Sequence, residues 1–126
     1  MKILLDTHIL LWWLLDDPKL TERARALVAD RDNIVFLSAV TRWEIQIKKD
    51  LKKIEIPADF DDVVAEQGFE DLALNHEHLA RLRDLPAAHR DPFDRMLIAQ
   101  ALAMGVRFLT ADENCRAYGD VVEYVG

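Results

Sequence analysis

Three short runs of strand character, Lys2 to Leu5, Ile34 to Leu37 and Val106 to Leu109, each give way at once to polar residues and then to a helical pattern. This β-then-α repetition constrains the chain more than any other feature. Strands separated by helices cannot pair as hairpins, so they join through right-handed crossovers into a parallel sheet covered on both faces. Helices are expected near Thr7–Leu15, Thr21–Ala29, Ala39–Leu51, Asp59–Gln67, His76–Arg83, Pro92–Met104 and Glu113–Ala117, with a closing strand at Val121–Val125. The expected fold is an α/β/α sandwich around a central, mostly parallel sheet. At 126 residues it forms one domain, residues 1–126, with one core and one site.

In such a sheet, ligands bind outside the carboxyl ends of the strands. Asp6 follows the first strand, Ser38 the second, and Thr110-Ala111-Asp112 the Val106 to Leu109 run. Glu44 sits in a helix whose apolar stripe is read as Val40, Trp43, Ile47 and Leu51, which turns an acid inward. An inward carboxylate wants a cation, a hydrogen-bonding cluster or a shifted pKa. Asp94 stands in the first turn of a helix opened by Asp91-Pro92, where proline suits the first helical position.

Each acid alone has an equally good plain explanation. Asp6, Asp91 and Asp112 precede helices and can cap them, Asp94 complements a helix dipole, and Glu44 can pair with Lys48 one turn on. For Asp91 capping is the preferred reading. Together, Asp6, Glu44, Asp94 and Asp112 at one edge ask for more, because gathered like charges repel unless a cation neutralises them. Hard carboxylate oxygens, with no thiolate or paired imidazoles expected among them, suit Mg²⁺ or Mn²⁺. Metal-assisted phosphodiester hydrolysis is the chemistry such a site performs.

The net charge of −7 excludes a generic nucleic-acid binder that grips phosphates with Lys and Arg, so bound cations would have to supply local positive charge. A lone cysteine, Cys115, points to a reducing compartment, and cytoplasm is expected. The opening Met1 to Asp6 is too short for a signal-peptide apolar region, and no run approaches membrane-spanning length. Glycine occurs only at 68, 105, 119 and 126, which leaves no phosphate-binding glycine loop. A haloacid-dehalogenase-type phosphatase would need an acid where His8 stands, and a response-regulator receiver would need other residues at Ser38 and Thr110.

Read in order, Asp6-Thr7-His8 with Trp12 or Trp13, Ser38 with Trp43-Glu44-Ile45, the run from His89 to Ala101 containing Asp91-Pro92-Phe93-Asp94-Arg95, and Thr110-Ala111-Asp112 resemble the PIN-domain toxins called VapC. The resemblance covers essentially the whole chain. It implies that Asp6, Glu44, Asp94 and Asp112 are the metal-binding acids, with Ser38, Thr110, Asp91 and Arg95 in support. It further implies an endoribonuclease toxin that cleaves a chosen RNA, often a tRNA. Dimerisation and neutralisation by a VapB-type antitoxin, in a type II toxin-antitoxin pair, belong to the same implication. The competing reading is a non-catalytic PIN-like module that binds metal or RNA.

Two positions depart from the family pattern. Lys52 stands where relatives often carry glycine after the Trp-Glu helix, and Cys115 where a larger apolar residue is expected. Neither is expected to touch the acids. The first helix, apolar nearly all round, is equally well explained by a partner surface or by burial within its own domain, and His8 is expected to be a structural histidine. Lys48, Lys49, Lys52 and Lys53 read as a solvated helix terminus, Arg90 as a phosphate contact, and Arg95 as one too or as the partner of an acid.

Overall fold

A computed structural model describes residues 1–126. Five strands form one sheet: β1 (Lys2–Leu5), β2 (Ile34–Ser38), β3 (Glu70–Leu72), β4 (Arg107–Thr110) and β5 (Val122–Tyr124). Their order is β3-β2-β1-β4-β5 and every pairing is parallel. The expected mostly parallel sheet is thus wholly parallel. It also contains one strand the sequence pattern did not suggest, since β3 is three residues long and two of them are exposed acids.

Seven helical segments join and cover the strands: α1 (Thr7–Leu14), α2 (Glu22–Ala29), α3 (Ala39–Asp50), α4 (Phe60–Glu66), α5 (His76–Arg83), α6 (Pro92–Met104) and a 3-10 stretch, Glu113–Val121. That last stretch runs past the expected Ala117, and its helical path breaks at Gly119, where φ is 82°. Alternation along β1 sends Ile3 and Leu5 to one face, where α1, α2 and α4 pack. Leu4 goes to the other, against Leu97, Ile98 and Ala101 of α6 and Cys115 of the 3-10 stretch. Ile3, Leu4, Leu5, Phe108 and Leu109 are fully buried. Each such side chain contributes about 1.5–3 kcal/mol, enough for the two central strands to carry several buried polar groups at their ends.

Trp12 and Trp13 are both half-buried against this core, and the Trp13 indole N–H donates to Gln67 Oε1 at 2.9 Å. Both rings pack in part against the domain's own core and keep part of their surface exposed. The face of α3 also differs from the expected stripe. Val40, Thr41, Glu44 and Ile45 are buried, whereas Trp43 and Leu51 are exposed. Glu44 still points inward, beside threonine rather than tryptophan.

Helix α3 ends where a glycine would end it. Lys52 takes φ 57°, its N–H donates to Lys49 O, and Lys53 N–H donates to Lys48 O, the paired bonds of a Schellman termination. A side chain in the left-handed region costs about 1–2 kcal/mol, and glycine recovers part of it at the expense of unfolded-state entropy. Lys52→Gly is therefore expected to stabilise the protein by about 0.5–1 kcal/mol in urea unfolding.

Candidate functional site

The strand order reverses direction at β1: β2 and β3 lie on one side, β4 and β5 on the other. The crevice outside the carboxyl ends of β1 and β4 is where an open parallel sheet presents ligands. Asp6 leaves β1 there, its backbone N–H held by Leu109 O at 3.0 Å, and Thr110 and Asp112 leave β4 beside it. A shallow cavity of about 220 Å³ opens at this point, lined by Asp6, His8, Trp12, Ala111 and Asp112. His8, expected to be a structural histidine, is instead exposed at its mouth, its ring tilted against Trp12. A larger cavity, about 390 Å³ and lined by Trp13, Asn33 and Phe69 among others, lies away from this edge and gathers no carboxylates beyond Asp30.

Asp6 is 2 % exposed. Its Oδ2 accepts a 2.6 Å hydrogen bond from Thr110 Oγ1, while its Oδ1 is buried with no hydrogen-bond partner. Burial drives its pKa upward and the charge of Glu44 adds to that, against the opposing effects of Thr110 and His8. A buried carboxylate oxygen without a partner costs free energy that a cation removes. The donor set thus fits a divalent ion.

Glu44 is held on both oxygens. Oε1 accepts from Thr7 Oγ1 at 2.7 Å, Thr7 in turn shares a hydrogen bond with Thr41, and Oε2 accepts from Lys48 Nζ at 2.6 Å. The intrahelical pair with Lys48 is therefore real, and it satisfies the inward acid without a metal. Burial alone would lower the Lys48 pKa, but the bond to Glu44 and the charges of Glu44, Asp91 and Asp94 outweigh it and raise it. Lys48 belongs to the acid cluster, whereas Lys49, Lys52 and Lys53 are exposed at the end of α3.

Asp94 lies in the first turn of α6, which Asp91 caps by accepting from Phe93 N at 2.8 Å and Asp94 N at 3.1 Å. Asp91 thus does the capping its position suggested. Burial, then the charges of Asp6 and Asp91, push the Asp94 pKa up to about 7, against the opposing effect of His89. His89 Nε2 lies 2.9 Å from Asp94 Oδ2 and 3.3 Å from Asp112 Oδ2. Its Nδ1 accepts from Arg90 N–H, so Nε2 carries the proton in the neutral ring and bridges the two acids. Asp112 also accepts from Asn114 N at 2.9 Å, capping the 3-10 stretch.

No role was expected of His89, and its bridge is the main feature that residue patterns missed. The available signal was a histidine five residues before Asp94 in a loop that must fold back over the helix start. Cys115 differs too: its thiol and the donor atoms of His89, Asp94 and Asp112 lie within 4.8 Å of one another. Cys115 thus approaches the acids more closely than its position suggested, and a single imidazole, that of His89, stands among them. Burial, then nearby acids, push its thiol well above the usual range, so without a metal it is inert.

The supporting residues divide. Thr110 touches Asp6 directly, and its Oγ1 also accepts from Asp112 N–H at 3.0 Å. Ser38 caps α3 and donates to Gln100 Oε1, with the Gln100 amide reaching on to His78, one layer beneath the acids. Burial lowers the His78 pKa. Arg95 meets no carboxylate: it donates to Pro86 O at 2.7 Å and Tyr118 Oη at 2.9 Å, while Tyr118 Oη accepts from His89 N–H. It anchors the loop that carries His89. Arg95→Ala is expected to cost about 1.5–3 kcal/mol in urea unfolding, the range for hydrogen bonds from a charged donor.

Trp43, 61 % exposed, packs edge-on against Phe93 at 5.1 Å, joining α3 to α6 beside Glu44 and Asp94. The structure thus brings Asp6, Thr110, Glu44, Lys48, Asp94, His89 and Asp112 to one crevice and leaves Ser38, Asp91 and Arg95 as its supports.

This architecture recurs in solved structures. A chain of VapBC2 from Rickettsia felis, crystallised bound to a DNA fragment from their promoter, superposes with a TM-score of 0.74 at 13 % identity over 98 % of each chain. A chain of FitAcB from Neisseria gonorrhoeae superposes with a TM-score of 0.65 at 21 % identity, over 98 % of this chain and 96 % of that one. At such identities the likeness is one of fold. No curated protein matches by sequence. Residues 3–121 match the family model of the PIN domain, and because that match spans nearly the whole sequence, the chain belongs to the PIN domain family.

Proposed function

We propose that the chain is a divalent-metal-dependent endoribonuclease, the VapC-type toxin of a type II toxin-antitoxin pair, with Asp6, Glu44, Asp94 and Asp112 as its metal-binding acids. PIN domains are generally nucleases. The observation that carries the reading is the buried, partnerless Oδ1 of Asp6 in a crevice where Asp94 and Asp112 also converge. When bound, Mg²⁺ or Mn²⁺ supplies the charge that draws in a phosphodiester and makes a water nucleophilic.

The chain's own residues do the rest. Thr110 orients Asp6 and leaves its second oxygen free. Thr7 and Lys48 hold Glu44 in one rotamer, and Lys48 sets a positive charge beside acids that would otherwise repel the substrate. His89 keeps the Asp94 and Asp112 carboxylates together before an ion arrives, so it is a positioning residue. With a net charge of −7, the surface favours recognition of a small RNA locus by shape over broad phosphate contact. The substrate is a chosen RNA, such as a tRNA. A VapB-type antitoxin as partner is in keeping with the complexes that contain the two similar chains, and a homodimer with the family resemblance. No helix is long and apolar enough to cross a membrane, and cytoplasm is the proposed setting.

The test is incubation of the purified, antitoxin-free chain with total RNA and Mg²⁺ or Mn²⁺, followed by mapping of new ends. Discrete cuts with 5′-phosphate and 3′-hydroxyl ends, abolished by EDTA, are expected. An intact RNA pool from a folded, metal-loaded chain would favour the non-catalytic binding module.

A further inference from the structure

The Asp94–Asp112 side of the crevice carries two donors that a Mg²⁺ site does not call for. His89 Nε2, Asp94, Asp112 and Cys115 Sγ offer four ligand atoms within 4.8 Å of one another, drawn from the loop before α6, from α6, from the turn after β4 and from the 3-10 stretch. One nitrogen, one sulfur and two carboxylates at this spacing form a mixed set that borderline and soft ions prefer over hard ones. A four-coordinate zinc ion, with bonds of about 2.0–2.3 Å, needs its ligands somewhat closer than they stand. Closing the set requires Asp112, the most exposed of the four at 33 %, to move toward the fully buried Cys115.

Two further observations point to a cation here. The partnerless Oδ1 of Asp6 is buried in the same crevice, its other oxygen held by Thr110. Meanwhile the His89 ring N–H sits between two carboxylates, occupying the space that a metal would fill.

We propose that His89, Asp94, Asp112 and Cys115 form an inhibitory site for an ion of the Zn²⁺ class, which takes two of the acids away from the activating ion. On binding, Cys115 loses its proton to solvent, and the His89 proton moves from Nε2 to Nδ1. The second shift gives up the hydrogen bond from Arg90 N–H and turns two N–H groups toward each other, so the exposed loop carrying Arg90 must move with it. The inhibition rests on the proposed function, because it requires that Asp94 and Asp112 serve the hard activating ion. Metal binding itself does not depend on that reading.

Cobalt titration of the full chain separates the two. Cys115 is the sole cysteine, so a thiolate-to-cobalt charge-transfer band can arise from no other residue. The expected result is that band together with intense tetrahedral d–d absorption, both displaced by stoichiometric Zn²⁺ and not by a large excess of Mg²⁺. His89→Gln and Asp94→Asn should weaken Zn²⁺ by more than about 100-fold, beyond the loss expected from disturbing a ligand's hydrogen-bond partner. In the RNA assay, Zn²⁺ should suppress Mg²⁺-supported cleavage over the same concentrations that displace cobalt. A pale octahedral spectrum without the charge-transfer band overturns the site, whatever the nuclease does. The band without zinc inhibition of an active enzyme overturns the inhibitory role. The band in a chain that cleaves nothing keeps the metal site and counts against the proposed nuclease instead.

Discussion

Asp94→Asn is expected to lower metal-supported RNA cleavage by about 1,000-fold or more while the chain stays folded. The substitution keeps the shape of the side chain and removes the charge that shares a bridging imidazole with Asp112. A bound ion contributes several kcal/mol to stabilising the charge that develops on a reacting phosphate. Losing about 4 kcal/mol of that corresponds to three decades in rate. Asn still offers an oxygen to His89 Nε2–H, and its backbone N–H still reaches the Asp91 cap, so the start of α6 should survive. Single-turnover cleavage, with circular dichroism as the control for folding, measures this. Cleavage at the wild-type rate by folded Asp94→Asn would remove the carboxylate from the mechanism. A loss of only about tenfold would instead describe a residue that helps place its neighbours.

The architecture was readable to the extent that burial writes itself into composition. β1, β2 and β4 are built around buried apolar residues such as Leu4, Leu37 and Phe108 because both faces of a parallel sheet are covered, and Pro92 and Gly105 mark the two ends of α6. The edge strand β3 left no such mark, since two of its three side chains face water. Position after a strand explains how Asp6, Thr110 and Asp112 come to one crevice, for topology alone delivers strand ends there. What sequence spacing does not report is which polar groups meet. Trp43 looked like a core residue because tryptophan is mostly apolar, yet α3 turns Thr41 and Glu44 inward to meet Thr7. The contacts of His89 and Cys115 depend on how the loop before α6 and the 3-10 stretch fold back, and no periodicity in either segment encodes that.

Metal-free protein is expected to lose stability as pH rises toward 8, and a divalent ion should restore it most strongly at the alkaline end. Folding raises the Asp94 pKa from an ordinary value near 4 to about 7, and burial raises that of Asp6 as well. A raised carboxyl pKa means that the folded state holds its proton more tightly than the unfolded chain. Its favourable contribution is therefore complete below the unfolded pKa and is lost as pH climbs through the folded one. For Asp94 the loss is at most about 4 kcal/mol, from roughly three units at 1.36 kcal/mol each. His78 runs the other way, because burial lowers its pKa and stability rises with pH until the unfolded histidine has titrated near 6.5. The Asp94 contribution is lost between its unfolded and folded pKa values, so the informative window runs from about pH 4 to about 7.5. The difference between wild type and Asp94→Asn cancels His78 and isolates the acid. In EDTA, wild type should fall relative to the variant across that window. With Mn²⁺ at about 100 times its Kd, wild type should gain about 2.7 kcal/mol. For a chain of this size that is about 10 °C in Tm, and less near pH 5.5, where protons compete for the same oxygens. Parallel metal-free curves for the two proteins would show that Asp94 is ionised throughout and the crevice already neutralised from within, with Lys48 the cation at hand. An equal Mn²⁺ shift in Asp94→Asn at pH 8 would place the ion elsewhere.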